Sequence, residues 1–133
     1  RHPLKRFERG PRFVPRMRHT AVLARRGTLW LFFSRAGDTP ESILVSRLDL
    51  RTDWREWEKS MSAPAVVLEP EKDYEGVRLP LEASRWGTAT NVRQLRDPAV
   101  YTEGKRTFLL YTVAGESGIA IAELFWRKTS PRR

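Results

Sequence analysis

The sequence predicts an all-β protein built from antiparallel meanders. Three observations carry that prediction: short apolar runs separated by turn residues, the lack of an amphipathic helical period, and an internal repeat that aligns one half of the chain with the other.

In chain order, Thr20–Arg25 is a short apolar run closed by Arg26-Gly27, and Thr28–Arg35 (TLWLFFSR) follows as a second strand. The loop Gly37-Asp38-Thr39-Pro40 leads into Ser42–Asp49, which alternates, with Ile43 and Val45 on one face and Leu44, Ser46 and Leu48 on the other. Trp54 and Trp57, in a charged stretch, are expected on a fourth, outer strand. Pro64–Leu68 is a brief apolar run, and 69–95 a long irregular segment rich in charge, Pro and Gly. The pattern then restarts with Ala99–Thr102, a turn at Glu103-Gly104-Lys105, Thr107–Val113, a turn at Gly115-Glu116, and Gly118–Leu124.

The restart is a repetition. Arg18-His19-Thr20-Ala21-Val22 aligns with Arg96-Asp97-Pro98-Ala99-Val100 at an offset of 78 residues. At the same offset Trp30–Ser34 meets Phe108–Thr112, and Ala36-Gly37-Asp38 meets Ala114-Gly115-Glu116. After a two-residue difference in the next loop, Ile43–Leu48 meets Ile119–Leu124. The ungapped part spans 21 positions and keeps R-x-x-A-V and A-G identical. A repeat of three or four short strands is the pattern of a propeller blade. Strand direction then puts Arg18, His19 and Asp38 on one rim with Arg96, Asp97 and Glu116.

Composition limits the chemistry. The 133 residues carry 25 Lys+Arg against 16 Asp+Glu, a net charge of +9. Residues 1–18 hold +6 of it and the last seven residues +4, so 19–126 is close to neutral at −1. A nucleic-acid module carries its positive stripe on the folded face, so nucleic acid is disfavoured as a partner. No apolar run approaches the roughly 20 residues of a membrane span. The Arg-rich start lacks the apolar stretch of a secretory signal, which favours a cytoplasmic setting. With no Cys there is no disulfide, thiolate nucleophile or Cys-based zinc site, and two histidines exclude a multi-histidine metal site. No cofactor is called for.

The segment RDPAVYTEGKRTFLLYTVAGESGIAIAEL resembles the late blades of five-bladed β-propeller glycoside hydrolases, the superfamily of families 32, 43, 68 and 130. RHTAVLARRGTLWLFFSRAGDTPESILVSRLDL resembles the preceding blade, and the likeness extends to uncharacterised bacterial proteins described as glycosyl-hydrolase-like. The resemblance covers roughly 14–126. It implies a basic N-terminal segment 1–13, a partial propeller of about two blades (14–68 and 96–126, joined by 69–95), and a basic tail 127–133. It also implies missing partners: the remaining blades, or a second chain, covering exposed blade edges.

In function the resemblance implies a carbohydrate ligand and carboxylate acid/base cleavage of glycosidic bonds, incomplete here because the first-blade carboxylate is absent. A noncatalytic carbohydrate-binding or scaffold role is the alternative. Asp97 would support the transition state, or else caps a turn before Pro98. Glu75, in Tyr74-Glu75-Gly76, would match the Glu-Gly of the family 43 general acid, or else is a solvated loop residue. Arg18, His19, Asp38, Arg96 and Glu116 would bind sugar hydroxyls. Trp86, in the irregular segment, is the tryptophan expected on a ligand face.

Overall fold

The computed structural model describes residues 9–126; the tail 127–133 and residues 1–8 of the basic N-terminal segment lie outside them. Two antiparallel sheets organise the described residues. The first has the order β1-β2-β3-β4: Met17–Arg25, Thr28–Arg35, Ile43–Asp49 and Ala65–Leu68. The second has the order β5-β6-β7: Arg96–Glu103, Arg106–Val113 and Gly118–Glu123. Each is a simple up-and-down meander, and the sheets do not close into a propeller.

Local chemistry explains the turns. Arg26 and Gly27 both have positive φ, 49° and 76°, the type I′ geometry that matches the right-handed strand twist of a tight hairpin. Trp54 and Trp57 are not on a strand. Asp53 caps a 3-10 turn, Trp54–Glu56, by accepting a bond from the Arg55 amide, and a one-turn helix α1, Trp57–Ser60, continues it. The outer strand of the first sheet is instead the apolar run Ala65–Leu68, which pairs with β3.

Strand alternation builds two cores. Ala21, Leu23, Trp30, Phe32, Ile43 and Val45 lie on one face of the first sheet, since cross-strand partners share a face. They pack against Val100, Leu109, Tyr111, Val113, Ala120 and Ala122 of the second. On the opposite face of the first sheet, Leu31, Phe33, Leu44 and Leu48 are buried under Phe13, Val14 and Met17 and the helix residues Trp57 and Met61 just beyond it. The central strand β2 is therefore buried on both sides, which is why it reads as a continuous apolar run.

The segment 69–95 is irregular yet tied to both sheets through its backbone. Gly37 N donates to Ser84 O at 3.0 Å, Leu95 N to Glu41 O at 2.9 Å, and Gly115 N to Gln94 O at 2.9 Å. A second 3-10 turn, Asp73–Glu75, lies within it. No described helix is long and apolar enough to cross a membrane.

Candidate functional site

The repeat becomes a site where the two first strands meet. β1 packs beside β5. Each carries a register shift at the same repeat position, between Arg18 and Ala21 and between Arg96 and Ala99. At each shift the residue after the arginine sits in the left-handed region, with φ 48° for both His19 and Asp97. His and Asp are among the non-glycine residues that tolerate this conformation, and a bulge re-aims the side chain it carries. The two equivalent side chains meet: His19 Nδ1 contacts the Asp97 carboxylate. Thr112 Oγ1 donates to the other Asp97 oxygen at 3.0 Å. Nδ1 being engaged, Nε2 remains as the polar atom of the imidazole.

This pair lines a cleft of about 260 Å³ together with Arg18, Trp86, Gly87, Thr88 and Glu116. Its side chains are partly open to solvent, 44% for His19 and 32% for Asp97. Trp86 is 66% exposed.

Beneath the cleft lies a buried ion network. Arg18 donates through Nε to Glu41 Oε1 at 2.8 Å and through Nη2 to Oε2. Arg96 Nε lies 3.2 Å from the same Glu41 Oε2, and Arg96 Nη1 donates to Glu116 at 2.9 Å. Two guanidiniums thus face two carboxylates, which is how charge is tolerated where water is excluded. Each arginine also holds one carbonyl beside Trp86. Arg18 Nη1 bonds Arg85 O and Arg96 Nη1 bonds Gly87 O, both at 3.0 Å. The guanidinium of Arg18 sits 5.6 Å from the indole centroid. The two repeat arginines therefore fix the backbone on either side of the exposed tryptophan.

Six residues expected at a site, Arg18, His19, Trp86, Arg96, Asp97 and Glu116, come together here, with Arg96 in the layer beneath. Asp38 and Glu75 do not. Asp38 is paired with Arg35 at 2.9 Å and lines a separate surface hollow with Thr39, Pro40 and Glu69. Glu75 is buried: one oxygen accepts the Tyr111 hydroxyl at 2.7 Å, the other the amides of Glu71 and Lys72 at 2.9 Å. Burial and the bond to Glu75 together push the Tyr111 phenol well above its ordinary pKa. Glu41 is the residue sequence reasoning missed. It sits in a polar loop, and no local pattern shows that two arginines far apart in the chain converge on it. Among the described residues, no group of three or more His, Asp or Glu is placed to hold a metal ion.

No family model and no solved structure matches the chain. An uncharacterised protein of Acanthamoeba polyphaga mimivirus is 40% identical over 116 residues, which are 86% of this chain but 32% of that relative. The chain thus spans about a third of the length of the curated relative it matches.

These findings correct the resemblance. No match to the propeller glycoside hydrolases exists at the level of family or structure, and neither sheet closes a ring. The likeness rested on R-D-P and a Gly turn inside a strand meander. Here Arg96 of that tripeptide is buried and Asp97-Pro98 form the bulge that follows it, a local solution that strand geometry alone can demand.

Proposed function

We propose that the cleft between β1 and β5 is a noncatalytic binding site for a carbohydrate, a polyhydroxylated ligand with one apolar face. One observation carries this reading: an exposed tryptophan whose flanking carbonyls, Arg85 O and Gly87 O, are each held by a buried arginine, above a polar cleft. An indole left in water costs solvation, and fixing its loop costs chain entropy. Sugar rings offset both, because their C–H face covers an aromatic ring while their hydroxyls reach polar groups. Thr88, the His19 imidazole and the free lone pairs of Asp97 and Glu116 supply the donors and acceptors around it. The reading is of binding because both cleft carboxylates already have partners, Asp97 in His19 and Thr112 and Glu116 in Arg96.

The test is calorimetric titration of the chain with neutral oligosaccharides: cello-, xylo-, arabino- and chito-oligomers. At least one is expected to bind, Trp86→Ala to weaken it by about 10-fold or more, and Asp97→Asn to weaken it less. Binding that survives Trp86→Ala, or no binding by any oligomer, overturns the reading.

A further inference from the structure

The repeat alignment and the strand registers together reveal how the two sheets are stacked. In the first sheet, Ala21, Trp30, Phe32, Ile43 and Val45 face the second sheet. Their repeat equivalents are Ala99, Phe108, Leu110, Ile119 and Ile121, and these lie on the far face of the second sheet. Conversely, Leu31, Phe33 and Leu44 face away from the second sheet, whereas their equivalents Leu109, Tyr111 and Ala120 face the first. The stacking is head-to-tail: one kind of face meets the other kind, as in a heterologous contact.

Among the described residues, this leaves the far face of the second sheet apolar and open. Ile119 is 75% exposed, Ile121 60% and Tyr101 52%. Such a face, continuous across three strands, departs from the alternation of apolar and polar faces expected of a solvated sheet. Among the described residues the β7 edge is unpaired as well, whereas its counterpart β3 is paired by β4.

We propose that this face docks a further antiparallel sheet of the same repeat, presenting the face that Leu109, Tyr111 and Val113 present to the first sheet. The occupant follows from the contact already formed, in which the equivalent face of the first sheet accepts that surface. A second copy of this chain fits poorly, because its matching face is already covered by Phe13, Val14, Met17 and Trp57. The matched stretch makes up 32% of the mimiviral relative, which leaves the larger part of that chain outside the match. The proposal is independent of the sugar cleft, which lies between β1 and β5.

Inserting a second copy of residues 51–126 between Trp126 and Arg127 keeps the whole chain and adds a third sheet through the connection that joins the present two. Stability in stacked repeats comes largely from neighbour interfaces. The enlarged chain is expected to melt as one unit at least about 5 °C above the parent, with β7 amides gaining hydrogen-exchange protection. Ile119→Lys with Ile121→Lys in the middle sheet should abolish both gains, while leaving the melting point of the 133-residue parent unchanged. The proposal is overturned if the third sheet stays unfolded, if the melting point does not rise, or if the lysine pair unfolds the parent. It is equally overturned if the parent sediments as a dimer that the lysine pair dissociates, since the occupant would then be a second copy.

Discussion

Glu41 is fully buried and holds two arginines from two different sheets. Removing one partner of such a network leaves a guanidinium uncompensated where water cannot reach it, a loss of about 3–5 kcal/mol. Glu41→Gln keeps the shape and removes the charge, so chemical denaturation should show a loss of that size, with sugar binding weakened as the Trp86 loop loosens. Tyr111 makes a different prediction. Its phenol stays protonated in the folded state to higher pH than in the unfolded chain, where it ionises at about pH 10. Its contribution is therefore full below about pH 10 and is lost as pH rises from there through the raised folded-state value. Tyr111→Phe should be less stable at pH 8, having lost the bond to Glu75, yet show a flatter loss above pH 10. An unchanged alkaline slope in urea titrations would show that the phenol is not the titrating group.

At the scale of elements, what was readable depended on whether the signal was local. The strands β2, β3, β6 and β7 were legible because alternation and turn glycines lie within a few residues of one another. The first strand of each sheet runs longer than its apolar stretch, because the bulge carries Arg18 and Arg96 into the pairing. The charged stretch of Trp54 and Trp57 is a helical turn and not the expected outer strand, because Asp53 caps its start and the D-x-x-E spacing of Asp53 and Glu56 favours a helix N-terminus. Aligning the repeat put His19 and Asp97 on one rim but gave neither their contact nor the place of Asp38, which lines a separate hollow. The anchoring of Trp86 was not legible either, because it depends on carbonyls, and carbonyls have no letter in a sequence. The loop glycines give a sharp contrast. A Cβ on Gly115, at φ 77°, would strike the Ala89 carbonyl and come within 2.8 Å of Val92 Cγ2, where the 69–95 segment crosses the second sheet. A Cβ on Gly104, at φ 58°, meets nothing within 4 Å. Both alanine variants bear the left-handed penalty of about 1–2 kcal/mol, but Gly115→Ala must also displace backbone. Thermal melts should place Gly115→Ala well below Gly104→Ala; equal melting points would mean the crossing segment yields freely.

The whole molecule is a pair of like units stacked in one direction, with one end of the stack covered by Phe13–Met17 and the short helix, and the other end apolar. Its two interfaces work differently. Between the sheets, apolar side chains interdigitate and tolerate exchange among shapes of similar volume. At the rim, Arg18, Arg96, Glu41 and Glu116 sum to zero charge and tolerate very little. That difference bears on descent. A core position can drift one substitution at a time, but a rim position that changes alone strands a charge in the interior. Where lineages carrying this repeat diverge, residues 18, 41, 96 and 116 should be inherited as one character, kept together or replaced together, even though 78 residues separate its two arginines.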